Sequence, residues 1–262
     1  MKQLTMIVGE HLLEVQSDAS ELMNMFKSNF HCLSEASFAS KPDLMIQIEE
    51  GYGIPFFDYE VAVSKEANKI VFRRADYLIE VDAYYQAAHI SVNNELALKH
   101  ALLTLYSSFI VHHKWGLLLH ASCVVDNGEA HLFAGHSGAG KSTAARLSYP
   151  RQLLSDEATL VKITPTQITV FNSPFRSELG ATGSEKCSPL ASIHILYQAK
   201  QNSRISLRKS NGFLHLMDKV FYWAHNPVET RIILNSMFVL VKTVPIYELH
   251  FQKNNTFWEM IS

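Results

Sequence analysis

Residues 135–143 read Gly-His-Ser-Gly-Ala-Gly-Lys-Ser-Thr and satisfy the pattern G-x-x-x-x-G-K-[ST] at every position. These residue types suit phosphate chemistry. Gly135, Gly138 and Gly140 let the backbone fold tightly, so that amide groups along His136, Ser137 and Ala139 can point at phosphate oxygens. A helix starting near Lys141 would add its positive dipole end. Lys141 would supply a full charge to the β- and γ-phosphates, and Ser142, followed by Thr143, a hydroxyl to Mg²⁺. The nine residues are therefore expected to bind ATP with Mg²⁺. By average composition, a chance match in a chain of this length is on the order of one in a hundred.

Three further groups could act with this loop. Leu153-Leu154-Ser155-Asp156-Glu157 places two carboxylates at the end of an apolar strand, where one could reach Mg²⁺ or an attacking hydroxyl. Asp156 follows Lys141 by 15 residues, room for one short helix and one strand. The blander reading of Asp156 is a turn residue closing a hairpin. His120 interrupts the apolar run Leu117–Val125, as either a satisfied core histidine or a pocket residue. Arg176 and Glu178 lie in Ser173–Gly180, a loop after a strand, and are candidates for the catalytic and metal-binding sets respectively. A surface ion pair explains them equally well.

The elements that must position these residues can be read from periodicity. Leu117–Val125 and Ala130–Ala134 read as strands joined at Asp126-Asn127-Gly128, a hairpin turn because Asn-Gly readily takes positive φ. The second strand runs straight into the glycine loop. Lys141–Ser148 reads as helix, and Gln152–Leu154, Thr159–Ile163, Gln167–Phe171, Ser192–Tyr197 and Ile246–Phe251 as strands. Ser210–Tyr222 and Val228–Val241 read as helices, the second after Asn226-Pro227. Upstream, Leu4–Val8 and Leu12–Val15 form a hairpin about Gly9-Glu10, and Ser20–Phe30 is helical with Ser17 or Asp18 as cap. Leu44–Ile48, Tyr59–Val63, Lys69–Arg73, Tyr77–Val81 and Ala88–Val92 read as an antiparallel meander. Asn93–His113 reads as a long helix joining the two parts.

Composition narrows the function classes. The chain has 262 residues, 47% hydrophobic and 18% charged, which excludes an intrinsically disordered protein. The net charge of −2 argues against a general nucleic-acid binder. Residues 1–116 hold 9 basic and 15 acidic side chains, and residues 117–262 hold 14 and 10. A basic second half suits a phosphorylated ligand but also lies within ordinary fluctuation. Three cysteines without a CxxC pattern point to reduced thiols and not to a zinc site. No run approaches the roughly 18 apolar residues of a membrane span. Glu10 and Glu14 interrupt the only apolar N-terminal stretch, so no secretory signal is expected and the protein is read as soluble and cytoplasmic.

The order strand with His120, hairpin, phosphate loop, one short helix, then Leu-Leu-Ser-Asp-Glu resembles the catalytic domain of HPr kinase/phosphorylase and its relatives. That resemblance implies an α/β fold of the HPr kinase-like (phosphoenolpyruvate carboxykinase-like) type over residues 117–262, with a connecting helix at 93–116 and a β-rich region at 1–92. By position it puts His120 near the γ-phosphate, makes Asp156 the base toward the acceptor hydroxyl and makes Glu157 a metal ligand. Departures are an Asp-Glu pair in place of Asp-Asp, the lack of the glycine-rich segment downstream of that pair, and a different N-terminal region. The phosphocarrier protein is therefore not the expected acceptor. Chain length, the Ser-Gly-Ala-Gly-Lys-Ser-Thr loop and the Ser-Asp-Glu are similar to those of lasso-peptide precursor kinases, which implies a precursor peptide as partner and its C-terminal serine as acceptor. A nucleotide-binding regulatory module and a small-molecule hydroxyl kinase are the alternatives. The sequence leaves room for a homo-oligomer, and for residues 1–92 either to hold an extended peptide or only to complete the fold.

Overall fold

The computed structural model describes residues 2–33, 41–177, 179–180 and 186–261 of a mixed α/β chain. The chain divides into two compact units, Met1–His113 with Tyr222–Pro227, and Lys114–Phe221 with Val228–Ser262.

The first unit is an eight-stranded sheet. Its elements are β1 (Lys2–Val8), β2 (His11–Ser17), α1 (Ser20–Asn29), β3 (His31–Cys32), β4 (Leu44–Glu50), β5 (Ala62–Glu66), β6 (Lys69–Arg74), β7 (Tyr77–Asp82), β8 (Ala87–Val92) and α2 (Glu95–His112). The strand order is β3-β1-β2-β4-β8-β7-β6-β5. The expected antiparallel meander holds for β5 to β8, but β2, β4 and β8 pair in parallel. Each parallel pair needs a crossover. The segment with α1 provides one and the excursion through β5–β7 the other. The strand expected at Tyr59–Val63 begins later, at Ala62. Helix α1 takes Ala19 as N-cap without a side-chain bond, and Ser17 Oγ instead accepts from the Ala19 N–H.

Helix α2 packs on β7 and β8. The Asn94 side chain caps it, accepting from Ala97 N–H at 3.0 Å. Two of its buried polar groups are partnered within the unit: Tyr106 Oη donates to Val8 O at 2.8 Å, and Thr104 Oγ1 lies 3.1 Å from Tyr77 Oη.

The second unit contains β9 (Gly116–Asp126), β10 (Glu129–Ala134), α3 (Lys141–Leu147), β11 (Gln152–Ser155), β12 (Ala158–Ile163), β13 (Ile168–Phe171), β14 (Cys187–Gln198), β15 (Ser203–Ser206), α4 (Lys209–Met217), most of α5 (Pro227–Thr243), β16 (Ile246–Phe251) and a 3₁₀ turn, Asn255–Met260. Two sheets share the long strands β9 and β14. The first half of β9 pairs with β12, and β13 joins β12 to the start of β14. The second half of β9 pairs with β10 on one edge and β11 on the other. β10, β14 and β16 run parallel, and β15 closes the edge antiparallel to β16. Asn127 and Gly128 take positive φ, 50° and 80°, as the β9–β10 turn requires.

The helix expected at Ser210–Tyr222 stops at Met217. Val220 bridges Leu119 of β9 instead. His120 N–H donates to Lys219 O at 2.7 Å and Phe221 N–H to Leu118 O at 2.9 Å. Val220 and Phe221, a β-branched and an aromatic residue, fit the open edge of a buried strand better than another helical turn.

Candidate functional site

The glycine loop follows β10 at the carboxyl ends of the parallel strands, where open α/β sheets commonly hold ligands. Its geometry comes from its glycines and from what lies beneath it. Gly138 and Gly140 sit at φ 78° and 107°, backbone that L side chains rarely adopt. A Cβ on Gly140 would also stand 2.7 Å from Cζ of Phe251, the last residue of β16. Gln198, the last residue of β14, donates from Nε2 to Gly138 O at 2.8 Å. Gly140 is the N-cap of α3 and has no side chain to take an N–H of the first turn. The start of α3 is tied to β9, since Ser122 Oγ donates to Lys141 O at 3.1 Å.

The Lys141 ammonium folds back into the loop and donates to Gly135 O and His136 O at 3.2 and 3.3 Å. Two neutral carbonyls are weak partners for a full charge. Burial pushes its pKa down and Lys219 pushes it further, while Glu157 opposes the shift. His120, half-buried on β9, is likewise shifted down by burial and then by Lys141, with Glu157 opposing.

β11 ends at Ser155, and Asp156-Glu157 forms the bend before β12. Strand alternation therefore does not separate the two carboxylates, and both line one cleft of about 320 Å³. Lys141, Ser142, Thr143 and His120 line it as well, together with loop residues Ser137, Gly138 and Gly140. Asp156 is buried, and its two oxygens accept from Ser177 N–H at 3.1 Å and Leu179 N–H at 2.9 Å. Glu157 lines the same cleft, and its charge acts on both Lys141 and His120.

Three of the anticipated loop residues support the cleft without lining it. Gly135 would clash with Ala139 if it carried a Cβ, at 2.7 Å, and Ala139 belongs to the core beneath the loop. The exposed His136 bonds through Nδ1 to Ser137 O at 2.6 Å. Arg176 also stands apart from the described lining. Its guanidinium donates to Leu153 O, Leu154 O, Leu179 O and Asn172 Oδ1, pinning the 172–179 loop to β11. Glu178 lies outside the described residues. Among the described residues, no three His, Cys, Asp or Glu side chains form a metal-binding group. No described helix is long and apolar enough to cross a membrane. Sequence reading missed Gln198 and Ser177 in the lining, and nothing local marks either one.

No curated protein matches this chain. Among solved structures, it is similar to the HPr(Ser) kinase/phosphatase from Coxiella burnetii, at 11% identity over 55% of this chain and 90% of that one, with a TM-score of 0.32. The sequence pattern described as SynChlorMet cassette protein ScmC matches residues 88–262, about two thirds of the chain and all of the cleft described above. The chain belongs to the ScmC family of SynChlorMet cassette proteins.

Proposed function

We propose that this protein is a kinase that transfers the γ-phosphoryl group of ATP to a serine hydroxyl of a peptide. One observation carries the reading. A lysine ammonium held, among the described residues, by two carbonyls shares a cleft with two carboxylates, a histidine and the hydroxyl of Ser142. A triphosphate would give Lys141 a partner of opposite charge, and the glycine loop offers it a close backbone approach. Ser142 and Glu157 are the residues suited to hold Mg²⁺, which would supply positive charge against the phosphates. Asp156, fixed by two main-chain N–H groups, is the group suited to take the acceptor proton. The γ-phosphorus bond to the ADP oxygen breaks as the bond to the serine oxygen forms, and the hydroxyl proton passes to the Asp156 carboxylate. Most of the acceleration would come from positioning and charge neutralisation.

The family name describes a cassette protein, so the acceptor is sought among peptides encoded in the same cassette. A precursor peptide ending in serine, of the lasso-peptide kind, is the first substrate to test. Incubation with Mg-ATP and that peptide should add one phosphate, read by mass and located by fragmentation. Lys141→Ala should bind the peptide and leave it unmodified, with a melting curve like that of the wild type. Equal phosphorylation by a folded Lys141→Ala protein would overturn the reading, whereas Mg-ATP binding without transfer to any cassette peptide would favour a regulatory nucleotide-binding module.

A further inference from the structure

The residue directly across from His120 is Lys219. The isolated antiparallel bridge Leu119↔Val220, with the bond from His120 N–H to Lys219 O, sets Lys219, in the turn that follows α4, opposite His120 of β9. Opposed residues point to the same face, with Cβ atoms roughly 5 Å apart. His120 lines the cleft; Lys219 is not part of the described lining but lies close enough behind it for its charge to act on both His120 and Lys141. Its side chain is 11% exposed, while that of its partner Asp218 is 70% exposed, the two joined Nζ to Oδ2 at 2.5 Å. A buried ammonium is thus matched to a carboxylate out in water. Solvent screening makes such a pair weak and easy to exchange. Lys219 and Lys141 also repel each other near this cleft, and Glu157 offsets only part of that repulsion. Two cations converging on one space are stabilised when a polyanion stands between them.

We propose that Lys219 is a second phosphate-binding cation of this site, exchanging Asp218 for the terminal phosphate of a bound nucleoside triphosphate. The proposal rests on the reading that the cleft takes ATP, and adds a residue that the glycine-loop motif does not contain. Lys219 would contribute charge and hydrogen bonds to the phosphate and take no part in bond making.

Calorimetric titration of Mg-ATP and of Mg-ADP into the full chain tests it without any acceptor. Lys219→Gln should lose about 10–100-fold in affinity for Mg-ATP, the size of a hydrogen bond to a charged group, and far less for Mg-ADP. Lys219→Arg should restore most of the ATP preference. Asp218→Asn, a change at an exposed side chain, should widen that preference by freeing the ammonium. Equal losses for the two nucleotides, or no loss, in folded Lys219→Gln would overturn the assignment of Lys219 and leave the kinase reading standing. If Lys219→Gln does not fold, Asp218→Asn decides, and an unchanged ATP-over-ADP ratio there overturns the assignment. A wild-type chain that binds neither nucleotide overturns both. The His120 imidazole, followed by NMR, should titrate higher once the Lys219 charge is removed, and an unmoved titration would place Lys219 too far away to act.

Discussion

Two clusters of charged side chains, one in each unit, are built on opposite principles. In the N-terminal unit, Arg74 grips Asp76 through two bonds, Nε–Oδ1 at 2.6 Å and Nη2–Oδ2 at 2.9 Å. The same guanidinium lies 2.7 Å from His100 Nδ1 and sits over the rings of Phe56 and Tyr77 at 4.9 and 4.4 Å. Donors and acceptors match, and charge cancels. In the second unit Lys141 has two carbonyls, Lys219 pushes against it, and the two neighbouring carboxylates lie along an open cleft. The first cluster is finished by the fold itself. On the function proposed above, a bound nucleotide would complete the second. Buried charge therefore marks function only when its matching is incomplete.

The sharpest way to break this contrast is at Asp156. If its carboxylate takes the acceptor proton, Asp156→Asn should lower transfer by about 10²–10⁴-fold while Mg-ATP affinity stays near that of the wild type. An amide has one acceptor oxygen, so either Ser177 or Leu179 loses a partner and the 172–179 loop should exchange its amide hydrogens faster. Collapse of nucleotide affinity in a folded Asp156→Asn protein would make Asp156 a metal ligand and leave Glu157 as the base.

Arg74→Ala tests the finished cluster and should act on stability alone. It strands Asp76, a fully buried carboxylate, at a cost of about 3–5 kcal/mol in denaturant unfolding. Nucleotide affinity of the remaining folded protein should be unchanged. A selective loss of nucleotide binding with little loss of stability would give the N-terminal cluster a part in the chemistry.

The smallest effect concerns acid. His194 is fully buried between the rings of Phe133 and Tyr247, and burial holds its pKa well below the usual histidine value, with Arg204 and His131 adding to the shift. The unfolded chain binds a proton near pH 6.5 that the folded chain refuses. Stability from this group is therefore complete above about pH 6.5 and falls as pH drops, by at most about 1.4 kcal/mol per pH unit. Thermal melts between pH 7 and 5 should show a shallower slope in His194→Phe. An identical slope would assign the acid sensitivity elsewhere, with His120 and His131, both shifted down by burial, the next to test.

What could be read in advance follows the range of the interactions involved. The glycine loop, its helix and the β9–β10 hairpin depend on neighbours a few residues away, and local pattern was enough for all three. The parallel pairings of β2, β4 and β8 depend on which strand lies beside which, and alternation within a strand carries no such information. Lys219 and Gln198 were silent for the same reason. Lys219 reaches His120 across 99 positions of sequence, and Gln198 reaches Gly138 across 60. Arg176 misled because a charged residue in a loop near a carboxylate looks alike in sequence whether it meets a ligand or four oxygens of its own chain.

The contact of Gly140 with Phe251 has a consequence for how the protein comes into being. The floor of the loop is a strand made more than a hundred residues later, beside a glutamine contributed by another. A chain leaving the ribosome has its complete glycine motif long before it has that floor. Native pairing at this range is slow to close, and the unfinished sheet edge must wait for β16. If the cleft takes a nucleotide as proposed, nascent chains arrested before Phe251 emerges should fail to retain it, and the ability to bind it should appear in a single late step of synthesis.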